Sequence, residues 1–307
     1  GERPGERSSS IVSIRSWSGP LDKLAAVYSS LKLTNPFFKT LSKALPVSAR
    51  AEFLHGLPLI PYLAAITKRV RLGVSIIVTP YRAPGVLAAE IATWDHLSGG
   101  RINVGVGSGW MPEEFAAASA AHIYQKRNKH VRETIEVMQG VWTNDVFEYH
   151  GEFADFPKCG FGVKPVQKPR PPMFFGGLGR PDLAAARVTK YSLEGWIGIM
   201  DTPEAIGIWR TAIKEEFVKM GTPNAIDALE ICSMIPFEVT REKTDQTPRG
   251  KLTPTLVGTA DQITDNLKRY RDAGMTMPLL WPPFSGTPTA KTITDMRRLV
   301  HDIMPKI

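Results

Sequence analysis

The chain has 307 residues, 43% of them hydrophobic, which is enough for a large core in a single domain. No apolar run is long enough to span a membrane, and no segment combines the charged start, apolar middle and small-residue cleavage site of a secretory signal. The formal net charge is +8, but residues 1–50 hold eight Lys/Arg against three Asp/Glu, or +5, leaving +3 for the rest; a nucleic-acid binder would cluster its basic residues on a recognisable element instead.

In chain order, GERPGERSSS reads as a disordered arm. Ser10 to Ser16 is compatible with a strand and Leu21 to Leu33 with a helix, while Asn35 to Leu45 is ambiguous. Val70 to Thr79 is a β-branched run closed by Pro80, as expected of a strand covered on both faces. Pro84 opens a helix at a position where its missing N–H costs nothing. Leu87, Ile91, Trp94 and Leu97 fall on one face of it, and Ser98-Gly99-Gly100 ends it. Ile102 to Val106 is the next strand, which completes a strand–helix–strand unit with a right-handed crossover. Gly105-Val106-Gly107-Ser108-Gly109-Trp110 follows as a glycine turn whose backbone can face an anion or a carbonyl. Its spacing is not that of a dinucleotide fingerprint.

Further on, Asn128 to Trp142 is a helix with Val131, Ile135, Met138 and Trp142 on one face. Phe147 to Gln167 reads as a loop-like insertion of the kind that often covers a site. Met173-Phe174-Phe175 is a short strand running into a second glycine turn, Gly176-Gly177-Leu178-Gly179-Arg180. Trp196 to Met200 and Leu229 to Ile235 are strands, and Thr202-Pro203 starts the helix after the first of them. Arg241 to Lys251 is a polar loop. Thr259 and Gln262 form a capping box for a helix that buries Ile263, Leu267 and Tyr270 and stops at Gly274. Pro278 to Trp281 is a last strand, and Ile293, Met296 and Val300 mark a terminal helix. Two glycine turns at the C-terminal ends of neighbouring parallel strands would lie on one face of a barrel, where active sites sit.

Several motifs, in order, resemble the luciferase-like monooxygenase family of (β/α)8-barrel flavin and deazaflavin oxidoreductases. They are TKRVRLG, TPYRAP, WDHLSGGR, GVGSGWMPEEF, RETIEVMQGVW and KPVQKPRPPMFFGG, with LVGT and ITDNLKRYRDAGM downstream. The match spans roughly Phe53 to Met304. It implies an α/β TIM barrel as one domain over residues 53–307, preceded by a divergent region at 1–52 in which the first strands are not evident. That divergence raises the question of whether the barrel is complete.

The resemblance also implies a set of cofactor-facing residues. A hydroxyl on Ser75 or Thr79 suits the polar edge of a flavin-like ring, and Thr79 matches a ring-contacting threonine of the deazaflavin enzymes; the plain alternative is that threonine simply favours strands. A cis non-prolyl peptide is expected near Ile76-Ile77. Gly107, Ser108, Gly109 and Trp110 match the ring- and phosphate-contacting turn. Glu113 sits where the family has a cofactor-facing polar residue, whereas Glu114 reads as an ordinary acid at a helix N-terminus. Gly176, Gly177, Leu178 and Gly179 match the second turn, and Arg180 is suited to pair with phosphate.

His96, in Asp95-His96, is read as a helix C-terminal dipole partner. No histidine has metal-ligand spacing, so no metal is expected, and no catalytic residue is assigned. Cys159 and Cys232, the only cysteines, give no disulfide framework, so a cytoplasmic, reducing location is expected. The expected cofactor is coenzyme F-420, with FMN as the alternative. The expected reaction is hydride transfer to or from a small organic substrate, against a reduced-FMN two-component monooxygenase or a degenerate barrel without turnover. A homodimer is expected from the resemblance alone.

Overall fold

The structure is a computed structural model and describes residues 56–177, 181–246, 256–281 and 289–307. The sequence readings for residues 1–52 and for Leu178, Gly179 and Arg180 lie outside the described residues.

The described chain begins with helix α1 (Gly56–Ile66), strand β1 (Leu72–Val78), helix α2 (Pro84–Ser98) and strand β2 (Ile102–Gly107). A short helix α3 (Pro112–Ala117) and the long α4 (Arg127–Thr143) lead to β3 (Val146–His150) and β4 (Asp155–Gly160). The strands β5 (Met173–Gly176), β6 (Gly195–Ile199) and β7 (Glu230–Val239) alternate with α5 (Pro181–Lys190) and α6 (Pro203–Lys219). Then come β8 (Leu256–Gly258), α7 (Ala260–Asp272), β9 (Met277–Trp281) and α8 (Thr289–Arg298).

Seven strands form one sheet in the order β1-β2-β5-β6-β7-β8, with β9 also on β7. Every pairing in this sheet is parallel. The long β7 serves two partners in turn, β9 along Cys232–Pro236 and β8 along Phe237–Val239.

The sheet is curled. Ile76 of β1 and Ile197 of β6 both come within 3.4 Å of the point where a Cβ on Gly105 would sit. In a flat sheet those two strands would be three spacings, about 14 Å, apart. Alternation along the strands then gives two cores. Phe174, Ile197, Cys232 and Met277 pack inside the curl with Ile76, Met234 and Leu279. Their neighbours Met173, Phe175, Trp196, Ile231 and Ile235 face outward into the larger core with the helices.

Local chemistry explains the boundaries. Pro84 begins α2, and Gly99 closes it in the left-handed region at φ 68°. Thr259 and Gln262 make the reciprocal capping box of α7, and the Thr202 hydroxyl accepts from the Ala205 N–H at the start of α6. Three sequence readings are corrected. Leu97 is not on the buried face of α2 but 59% exposed; the face is completed by Ala88, Asp95 and Ser98. The terminal helix buries Asp295, Leu299 and Ile303, while Ile293, Met296 and Val300 are only half-buried. The third concerns the insertion: Val146–His150 and Asp155–Gly160 pair as an antiparallel hairpin, so it is not loop throughout.

That hairpin is seated on α4. A Cβ on Gly140 would lie 2.1–2.5 Å from the ring of Phe147, so the ring occupies the gap left by the glycine. The Tyr149 hydroxyl donates to Glu136, and the Phe153 N–H donates to Glu133 at 2.8 Å.

At the N-terminal ends of the strands a polar network ties the elements together. Asp95, with no exposed surface, accepts from Gln167 through its backbone N–H at 2.9 Å and its side-chain Nε2 at 2.7 Å. Gln167 in turn accepts from Arg71, which also donates to Asn103, both at 2.8 Å. Arg101 donates to the carbonyls of Ala64, Thr67, Val70 and Ser98 at 2.6–3.0 Å, joining α1, α2 and both strands. Contacts of this kind at the N-terminal face of a barrel serve stability rather than chemistry.

Replacing Asp95 with Ala leaves buried donors of Gln167 unpaired, and a loss of about 3 kcal/mol is expected in denaturant unfolding; a loss below about 1 kcal/mol would show that the network does not hold the sheet. Gly140→Ala should destabilise by about 1–3 kcal/mol through overpacking against Phe147, although Ala normally stabilises a helix by about 1 kcal/mol over Gly. A gain in stability would show that the hairpin is not seated there.

Candidate functional site

The candidate site lies at the C-terminal ends of β1, β2 and β5, which are hydrogen-bonded neighbours. On β1 the pairing to β2 slips between Val74 and Ile77. The peptide between Ser75 and Ile76 is cis, one position before the expected pair. Ile76 points inside the curl, while Ile77 packs with the outer core.

The Ile76 side chain fixes the glycines around it. A Cβ on Gly107 would come within 2.0 Å of its Cδ1, and a Cβ on Gly176 within 2.6 Å of its Cγ2. Side chains at either position would collide with it, so Ile76 lies over a floor made of backbone from β2 and β5. Gly109 is a glycine for another reason: its φ is 69°, and a Cβ would meet Val78 at 2.6 Å.

Two hydroxyls beside this floor lack partners. Ser75 Oγ and Thr79 Oγ1 are both buried and bond to no atom among the described residues. Thr79, with no exposed surface, opens the one-turn helix Thr79–Tyr81. A buried polar group without a partner costs about 1–3 kcal/mol; Ser75 lies within β1 and Thr79 directly follows its last residue. Trp196 Nε1 is a third such atom, next to the point where a Cβ on Gly177 would sit.

In the first turn, Ser108 makes only a long 3.4 Å contact to the Gly109 carbonyl. The Trp110 carbonyl accepts from the Tyr124 hydroxyl at 3.0 Å. In the second turn, the Gly177 N–H donates to the Ile197 carbonyl at 3.2 Å. Thus Ser75, Ile76, Thr79, Gly107, Ser108, Gly109, Trp110, Gly176 and Gly177 are gathered at one end of three adjacent strands.

The two acids of α3 are arranged differently from the sequence reading. Glu113 is exposed, whereas Glu114 turns inward and accepts from the Tyr81 hydroxyl at 3.1 Å. Phe115, wholly buried between the rings of Tyr81 and Tyr124, sets that orientation. Burial raises the Glu114 carboxyl above its ordinary range, opposed by the Tyr81 hydrogen bond. Burial and the adjacent Glu114 push the Tyr81 phenol above its own range. Periodicity along a six-residue helix does not separate adjacent acids, and Tyr81 is a partner 33 residues away.

His130 was also missed. It is 3% exposed on α4, with Nδ1 at 3.2 Å from Thr134 Oγ1. Burial lowers it to a pKa of about 4, against a smaller opposing effect of Glu133, so it is neutral near pH 7. His96 Nε2 contacts the Lys164 carbonyl at 2.7 Å. Among the described residues no group of three or more His, Cys, Asp or Glu is placed to hold a metal, and no helix is long and apolar enough to cross a membrane.

Comparison with known proteins agrees with this architecture. Residues 54–247 match the family model described as luciferase-like monooxygenase. An uncharacterized protein of Mycobacterium tuberculosis is 32% identical over 190 residues, covering 58% of this chain and 63% of that protein. The FMNH2-dependent dimethylsulfone monooxygenase of Pseudomonas putida is 35% identical over 135 residues, 44% of this chain and 36% of that one. The chain therefore spans less than two-thirds of the length of these relatives.

Two solved structures share the fold at low identity. An F-420-dependent secondary alcohol dehydrogenase, in complex with an F-420–acetone adduct, superposes with a TM-score of 0.68 at 16% identity, over 84% of this chain and 86% of that one. The oxygenating constituent of 3,6-diketocamphane monooxygenase from Pseudomonas putida, in complex with FMN, gives 0.68 at 15% identity, over 84% and 85%. With the family model matched across more than half of its length and a curled parallel sheet of the corresponding architecture, this chain belongs to the luciferase-like monooxygenase family.

Proposed function

We propose that the chain is an oxidoreductase that transfers a hydride between coenzyme F-420, a deazaflavin, and a small organic substrate. The observation that carries this reading is the pair of buried, unpartnered hydroxyls on Ser75 and Thr79 beside the side-chain-free floor around Ile76. A flat ring with a polar edge fits both features: the floor excludes protruding side chains, and the edge offers groups for two hydroxyls that the protein leaves unbonded.

When bound, the deazaflavin supplies the hydride chemistry. The protein's part is to hold and shield. Thr79 and Ser75 orient the ring edge, Ile76 backs it, and the turns at Gly107–Trp110 and Gly176–Gly177 receive the remainder of the cofactor. The β3–β4 hairpin covers the side from which the substrate enters. Glu114, held above the usual carboxylate range and bonded to Tyr81, is suited to keep a proton near that end of β1.

A reduced-FMN monooxygenase is the second reading. The named relatives favour it: the dimethylsulfone enzyme is FMNH2-dependent, and a flavin-dependent trigonelline monooxygenase of Acinetobacter baylyi is 35% identical over 112 residues. Both readings use the same floor and hydroxyls.

The deciding experiment is a fluorescence titration of the purified chain with F-420 and, separately, with FMN. Saturable binding of F-420 alone supports the first reading, preference for FMN moves the chain to the second, and binding of neither sinks both. Steady oxidation of reduced F-420 would in addition remove the degenerate-barrel alternative. Thr79→Val, which keeps the shape and deletes the hydroxyl, should weaken cofactor affinity by roughly 3- to 10-fold while leaving stability unchanged or raised by up to about 1 kcal/mol. Unchanged affinity would show that Thr79 does not touch the ring.

A further inference from the structure

Beyond the strand ends, a cleft of about 380 Å³ lies between the Pro80–Pro84 segment, the chain after α3 and the tip of the hairpin. Its size falls at the lower end of small-molecule sites, which run to about 300–1,000 Å³. Pro80 and Ala83 form one wall, Ala120 and Ile123 another, and Phe153 and His130 close the end.

His122 also lines the cleft, and the Arg82 and Glu152 charges on its rim are matched within the protein. Arg82 pairs with Glu90 at 2.9 Å. Glu152 accepts from Lys126 and, at 2.7 Å, from Lys129. Neither rim charge is left to select an ion.

His130 differs. The Thr134 hydroxyl donates its single proton to the His130 carbonyl, 2.9 Å away, which can only accept. The contact between Thr134 Oγ1 and His130 Nδ1 therefore needs the proton on Nδ1. This assignment from the bonding leaves Nε2 with a free lone pair. Among the described residues Nε2 bonds to no atom, and the ring that carries it lines the cleft. A side chain 97% withdrawn from solvent thus presents one acceptor to a cavity, with the ring held in place by Thr134 and the Phe153 ring 5.0 Å away.

We infer that this cleft is a binding site for a small neutral molecule carrying a hydroxyl or amide N–H, which it donates to His130 Nε2. The requirement for a donor follows from the tautomer, and the requirement for neutrality from the internally paired rim. This inference does not rest on the cofactor reading, because the cleft is complete without any group at the strand ends.

The test uses the full chain, labelled with nitrogen-15, and reads the histidine side-chain nitrogens by NMR. His130 is identified as the histidine that does not titrate through the range of ordinary histidines, and by the loss of its signals in His130→Phe. The free protein should show a protonated Nδ1 and a bare Nε2. Benzyl alcohol should shift Nε2 saturably, whereas benzyl methyl ether, close in shape but without the donor, should bind about 2- to 10-fold more weakly and leave Nε2 unmoved. His130→Phe fills the same space and leaves the Thr134 bond to the backbone carbonyl, so it should fold and lose the preference for the alcohol. If it fails to fold, the comparison of alcohol and ether on the wild-type chain still decides. Equal response to both probes, no response to the alcohol, or a proton found on Nε2 would overturn the inference. Because no cofactor is added, these results are independent of whether F-420 or FMN binds.

Discussion

The upper end of the sheet is organised around one side chain. Ile76 is turned inside the curl where β1 slips its pairing with β2, and its methyl groups take up the space where neighbouring strands would otherwise carry side chains. Close packing leaves no room for both, so Gly107 and Gly176 are glycines because Ile76 is where it is. The consequence is a surface of backbone and one aliphatic side chain at the strand ends, with hydroxyls on Ser75 and Thr79 that nothing among the described residues satisfies.

The two ends of the sheet are opposites in hydrogen bonding. At the N-terminal ends, Asp95, Gln167 and Arg71 bond to one another in series, and Arg101 donates to backbone carbonyls of α1, α2 and the segment between α1 and β1. At the C-terminal ends, buried polar atoms are left open.

The hairpin adds a third region, in which polar side chains act through partners distant in sequence. Phe147 fills the gap at Gly140, Glu133 and Glu136 hold the hairpin backbone and Tyr149, and the tip at Phe153 reaches the ring of His130. Phe115 orients Glu114 toward Tyr81 in the same neighbourhood. One end of β1 therefore faces both the glycine floor and a cleft whose bonding is set by a buried, neutral histidine.

Short-range rules determined much of this by themselves. Proline at a helix start, glycine at its end and a threonine–glutamine capping box are local, so the limits of α2 and α7 were readable to within a residue or two, and the glycine turns follow β2 and β5 as their sequence suggested. The ordered motifs likewise identified the barrel family. Tertiary structure decided the rest, because it depends on contacts between residues far apart in the chain. Whether Glu113 or Glu114 turns inward depends on where Phe115 finds Tyr81 and Tyr124. That Leu97 faces solvent while Asp95 is buried depends on Gln167, 72 residues away. The tautomer of His130 is fixed by Thr134 on its own helix, but the cleft that gives its Nε2 a purpose is assembled from β1's turn, the chain after α3 and the hairpin. A periodic pattern records which face of an element is apolar; it does not record what that face will meet.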